Sequence, residues 1–138
     1  MDDEVLVGGC LCGKVSYEVR GPFPRFYHCH CSRCRRATGS AHASNLFAEP
    51  EQFRWTRGEE LLKRYDVPSA ASFANTFCTN CGAPMPHLTR SGAAIVIPAG
   101  SLNSEPLIGP QAHIFFESRS GWDCSNSDLP HYSELPTE

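Results

Sequence analysis

The sequence predicts a mainly β domain, a stack of small antiparallel sheets, on three observations. Short stretches of alternating or β-branched and aromatic residues recur along the chain. Eleven glycines and eleven prolines punctuate them. No long segment sustains the 3.6-residue period of an amphipathic helix. Many short strands with Gly/Pro turns argue a sandwich or barrel-like sheet stack.

The elements follow in chain order. Residues 14–19 (KVSYEV) alternate polar and apolar, as a half-buried strand does, and Gly21-Pro22 stops them. Residues 25–30 (RFYHCH) read as a second strand that delivers a cysteine group. Residues 32–38 make one short helical turn, with Ser32 as its cap and Gly39 as its stop. Strands are expected at 41–47 and 53–56, and at 60–67, where neither face is cleanly apolar. Residues 72–77 lead into a turn at Cys78, with Phe73 and Phe77 read as core. Residues 85–88, 93–98 and 113–117 complete the set, and the polar tail from Ser125 onward is read as loosely held.

At 138 residues this is one domain, with its core over about 5–117 and a looser tail over 118–138. The net charge of -3 gives no basic footprint, which argues against a nucleic-acid partner. No apolar run reaches the roughly twenty residues of a membrane span. The N-terminus reads Met1-Asp2-Asp3-Glu4, acidic where a secretory signal is basic, so a cytoplasmic location is expected.

That compartment bears on the eight cysteines. In a reducing environment they suggest metal or catalysis rather than a disulfide framework. A redox C-x-x-C usually opens a helix in a βαβ unit, and none is evident around Cys31/Cys34 or Cys78/Cys81. Seven of the eight fall in three tight groups: Cys10-Leu11-Cys12, then Cys29-His30-Cys31-Ser32-Arg33-Cys34, then Cys78-Thr79-Asn80-Cys81 followed by Gly82. The last group has the form of a zinc knuckle, in which the two intervening residues let both sulfurs face one point and Gly82 tightens the turn. A structural zinc wants four ligands, and Cys10 and Cys12, flanked by glycines, are the best remaining pair. Such a site closes a loop of more than sixty residues and acts as a folding clip.

Cys29, Cys31 and Cys34 supply three thiolates within six residues. In an extended segment His28 and His30 point to the opposite face from Cys29. His113 and Cys124 are the candidates for a distant fourth ligand, and either would turn the trio into a second structural site. Without one, zinc there keeps an open position, where a bound water or thiol becomes an anion near neutral pH.

The strings GGCLCGKVSYEV, HCHCSRCRRATGS and FCTNCGAPM resemble the glutathione-dependent formaldehyde-activating enzyme family, whose domain also occurs in centromere protein V. The resemblance runs over about residues 5–113, with a further tail match at Trp122 and Leu129-Pro130. It implies a β-tent, small antiparallel sheets packed around a structural zinc held by Cys10, Cys12, Cys78 and Cys81. It implies a second, labile catalytic zinc on Cys29, Cys31 and Cys34. It also implies carbon–sulfur lyase chemistry, the joining of glutathione and formaldehyde to S-hydroxymethylglutathione. Within that reading, Arg35 and Arg36 are candidates to bind glutathione carboxylates, Ser40 to donate a hydrogen bond, and His30 to orient a cysteine or relay a proton. Cys124 departs from the family's pattern.

Two other functions stay open at this point. One is a non-catalytic, zinc-stabilised module that binds a small thiol or a protein, since fold does not fix function. The other is a chromatin-associated role like that of centromere protein V, which the acidic balance opposes.

Overall fold

The computed structural model describes residues 4–123 and 128–136. The described residues build three small sheets. β1 (Val5–Gly9), β2 (Ser16–Arg20) and β5 (Phe53–Arg57) form the first, in the order β1-β2-β5. The second has five strands, β11-β3-β4-β10-β9, built from β3 (Arg25–Cys29), β4 (Ala43–Ala48), β9 (His87–Leu88), β10 (Ile95–Pro98) and β11 (Ala112–Ile114). β6 (Leu62–Asp66), β7 (Ala74–Cys78) and β8 (Pro84–Met85) form the third. All the strand pairings are antiparallel except β11 with β3. The one α-helix of the described residues is α1 (Ser32–Thr38). The mainly β expectation therefore holds.

Alternation sets the main core. In β2, Tyr17 and Val19 point inward and are fully buried, while Ser16, Glu18 and Arg20 are not. They meet Leu6 of β1, Phe26 of β3, Leu46 and Ala48 of β4, and Ile95 and Ile97 of β10. Tyr17 stacks on Phe53 at 5.2 Å and meets Trp55 edge-on at 6.0 Å. Its hydroxyl is satisfied by Ser101 Oγ, and burial pushes its pKa up to about 12.

Gly8 lies under that ring. A Cβ there would collide with the Tyr17 ring and hydroxyl and with the Ser101 carbonyl. Gly8→Ala is therefore expected to cost about 1–3 kcal/mol, the usual scale of overpacking, read as a lower midpoint in urea unfolding.

Several expected boundaries move. β1 is an additional strand that alternation does not mark, because Gly8 and Gly9 carry no side-chain pattern. The stretch 85–88 is two strands rather than one: Pro86 cannot donate to a ladder, and on either side of it β8 joins β7 while β9 joins β10. The stretch 60–67 begins as a 3-10 turn at Glu59–Leu61 before β6. The stretch 113–117 ends as a 3-10 turn at Phe116–Ser118.

His87 on β9 has its pKa pushed down to about 4, chiefly by burial and then by the nearby Arg64 guanidinium. The unfolded chain therefore binds the extra proton first as pH falls. Stability is complete above the ordinary histidine value near 6.5 and is lost as pH drops toward 4, by up to about 3 kcal/mol. Subtracting the pH profile of His87→Gln from that of the native chain should isolate this slope in urea titrations.

Candidate metal centres

The first centre gathers two turns of similar design. After β1 the chain folds back so that the Cys10 amide donates to the Val15 carbonyl at 3.1 Å and the Gly13 amide to the Cys10 carbonyl at 3.1 Å. After β7 the Cys78 amide donates to the Ala83 carbonyl at 3.1 Å, and the Gly82 amide to the Cys78 carbonyl at 2.7 Å. Gly82 sits at φ 80°, which a side chain would strain. Backbone amides also point at sulfur: Val15 N–H at Cys10 Sγ and Asn80 N–H at Cys78 Sγ, both at 3.3 Å.

The four sulfurs of Cys10, Cys12, Cys78 and Cys81 lie within 4.8 Å of one another. Cys10 and Cys12 Sγ are 3.6 Å apart, and Cys12 and Cys78 Sγ 3.9 Å. A tetrahedron with Zn–S bonds of about 2.3 Å has edges of about 3.8 Å, so the donor set fits zinc. Buried Val15 and Met85 back the centre, together with Trp55, Leu61, Leu62 and Ala83. Hydrogen bonds favour the anionic ligands. Cys12 is lowered to about 6, first by the Asn80 side chain and then by the Lys14 backbone. Cys81 is lowered by the Ala83 backbone, whereas burial raises Cys78.

The second centre forms where β3 ends and α1 begins. Cys29 is the last residue of β3 and is buried. Cys31, and not Ser32, is the N-cap of α1: it is the last extended residue, with φ -65° and ψ 157°, and its sulfur accepts the Cys34 amide at 3.3 Å. Cys34 points inward from the first helical turn. Gly39 ends the helix in the left-handed conformation, as expected. The three sulfurs lie within 4.8 Å of one another, three corners of a tetrahedron. Ala43, Phe73 and Ile114 pack around them. Phe73 therefore lines this centre rather than only filling core. Cys29 is lowered to about 6, first by a hydrogen bond from Cys34, and that same bond pushes Cys34 far above the usual thiol range. A divalent ion would displace that proton.

Of the distant ligand candidates, His113 does not join the trio. His113 hydrogen-bonds His30 instead, Nδ1 to Nε2 at 2.9 Å. Cys124 lies outside the described residues. Among the described residues, only the two cysteine groups converge tightly enough to hold an ion.

The opposite face of the sheet carries a cluster the sequence reading did not assemble. His28 and His42 stack at 4.2 Å and share Ser44 Oγ, at 3.0 and 3.3 Å from their Nδ1 atoms. His30 is fully buried between His42 and His113, at 4.9 and 5.0 Å. Burial pushes the pKa of both His28 and His30 down. Alternation in β3 was legible, but the register that sets Ser44 opposite His28, and His113 beside it, was not.

The candidate substrate residues separate. Arg35 is one helical turn from Cys31 and shares its face. It is half-buried, and its Nε is buried without a hydrogen-bond partner among the described residues. Arg36 is exposed, and two residues from Cys34 it does not face that side chain. Ser40 is exposed beyond the helix stop, its amide donating to Thr38 Oγ1 at 3.2 Å.

Residues 5–118 match the family described as glutathione-dependent formaldehyde-activating enzyme. The chain belongs to this family. A Halomonas elongata protein named "Putative glutathione-dependent formaldehyde-activating enzyme" is 28% identical over 125 residues, covering 86% of this chain and 79% of the relative. A crystal structure of a Rhodobacter sphaeroides protein superposes with a TM-score of 0.62 at 28% identity. That match covers 78% of this chain and 98% of the other. Membership in the glutathione-dependent formaldehyde-activating enzyme family accords with the mainly β fold and with both cysteine groups. No helix of the described residues is long and apolar enough to cross a membrane.

Proposed function

We propose that the protein joins a small thiol, of the glutathione class, to formaldehyde, and runs the same carbon–sulfur lyase reaction in reverse. The observation that carries this reading is the convergence of Cys29, Cys31 and Cys34, with no fourth protein ligand among the described residues. Cys10, Cys12, Cys78 and Cys81 are assigned to a structural zinc, and the trio to a catalytic one. Zinc held by three thiolates would supply a Lewis-acid position that keeps an incoming thiol anionic at neutral pH.

The reaction balances without a co-reactant. The thiol sulfur attacks the carbonyl carbon and the C–S bond forms. The carbon–oxygen π pair moves to oxygen, which takes up the proton that left sulfur. Arg35, half-buried on the helix face it shares with Cys31, is assigned to a substrate carboxylate. Arg36 and Ser40, both exposed, are assigned to the outer end of the same peptide-like substrate. His30, between two of the cysteines in sequence, orients them. A reducing compartment such as the cytoplasm suits seven closely spaced thiols.

The test is binding of glutathione and its hydroxymethyl adduct to zinc-loaded protein by calorimetry, for the native chain and for Cys31→Ser. Loss of binding in the variant is expected. Equal binding by both proteins would remove the metal from the substrate site. Metal-dependent binding with no turnover of the adduct would make the protein a thiol-binding module instead of an enzyme.

A further inference from the structure

We propose that Asp123 and His113 are positioning residues for the three-cysteine centre, acting through His30. The proposal rests on the trio being a metal centre and adds what holds it open and in register. His30 lies between Cys29 and Cys31 in the chain, so any rotation of its backbone moves both sulfurs. Three tethers fix it, and all three come from one distant segment. Its amide donates to the Ile114 carbonyl at 3.0 Å. Its Nε2 meets His113 Nδ1 at 2.9 Å. Its Nδ1 faces Asp123 Oδ2 at 3.5 Å.

The direction of the array follows from the inventory of donors. A carboxylate only accepts, so the tautomer that suits Asp123 carries its proton on His30 Nδ1, which leaves Nε2 as the acceptor for His113 Nδ1–H. The His30 side chain is 0% exposed and that of Asp123 6%. Among the described residues neither His30 Nδ1 nor Asp123 Oδ2 has a hydrogen-bond partner, and the two atoms face each other. Phe116 closes over the edge of His30 at 5.2 Å and 88°. Phe115 holds the turn before it at φ 52°, an uncommon conformation for a bulky side chain. Burying a carboxylate beside an imidazole costs solvation that an apolar pair would not. The arrangement is explained if it orients something.

What it orients lies one residue away on either side. Three thiolates repel one another, and the residue that joins Cys29 to Cys31 is His30 itself. Fixing that joint in advance reduces the ordering cost of metal capture, as groups behind metal ligands do elsewhere. The histidines do not form an ion site of their own, since only the two cysteine groups converge tightly enough among the described residues.

The experiment is cobalt(II) titration of the full chain, followed by the thiolate charge-transfer and d–d absorption bands. The native chain is expected to take two ions, the four-cysteine centre filling first. Asp123→Asn and His113→Ala should weaken the second ion about 10- to 100-fold and alter its d–d bands. The first ion should bind as in the native chain, and Asp123→Glu should recover part of the loss. His113 is exposed, so its variant keeps the test valid if Asp123→Asn fails to fold. Native second-ion affinity and bands in both variants would overturn the positioning role alone. A native chain that takes a single ion would overturn the three-thiolate centre and the positioning role together.

Discussion

Cys78→Ser is expected to leave the chain unfolded at room temperature, because it removes one corner of a clip that joins residues 66 positions apart. Structural zinc sites contribute about 10–16 kcal/mol to the folding of small domains, against a net stability of about 5–15 kcal/mol. Removing one of four ligands forfeits most of that, and Cys78 is the ligand with least freedom to adjust. It is fully buried, its amide and carbonyl are both spent on the knuckle turn, and its neighbours Val15 and Met85 are core. A hydroxyl there is a poor zinc ligand and a buried polar group without its partner. Far-ultraviolet circular dichroism should show loss of the β signature, and a strong chelator should produce the same change in the native chain. A cooperative, native-like melt for Cys78→Ser would show that the four sulfurs converge without a metal to hold.

Cys34→Ser is expected to do the reverse, keeping the fold and losing the chemistry. The trio is local in sequence and sits at the joint of β3 and α1, so it clips no distant segments. Metal Lewis acidity is worth several kcal/mol at a developing charge, so turnover of the thiol–formaldehyde adduct should fall on the order of a thousandfold. The unfolding midpoint should fall far less than for Cys78→Ser, by about the 1–3 kcal/mol cost of one buried hydroxyl at Cys34. Kinetics on zinc-loaded protein and urea unfolding check the two halves separately. Near-native turnover by the variant would place the reaction elsewhere.

The cysteine groups were the most legible part of the chain, because ligand spacing is a local property. One or two intervening residues fix how two sulfurs can face a common point, wherever the rest of the chain goes. The strands were legible where alternation was clean, as in β2, and not where it was absent. β1 escaped because Gly8 and Gly9 carry no side-chain pattern, although Gly8 is there to admit the Tyr17 ring. The histidine cluster was legible only in halves. That His28 and His30 leave β3 on the face away from Cys29 follows from period two. That His42, His113 and Asp123 meet them depends on strand order and register, above all on the parallel pairing of β11 with β3, which no local pattern encodes.

The separation of the two ligand pairs has a further consequence at the ribosome. At about 5–20 residues per second, Cys10 and Cys12 leave the exit tunnel several seconds before Cys78 and Cys81 follow. The trio at 29–34 is fully synthesised within that interval. A nascent chain thus offers five thiolates and no finished cage. The set Cys10, Cys12, Cys78 and Cys81 is complete only once Cys81 has emerged.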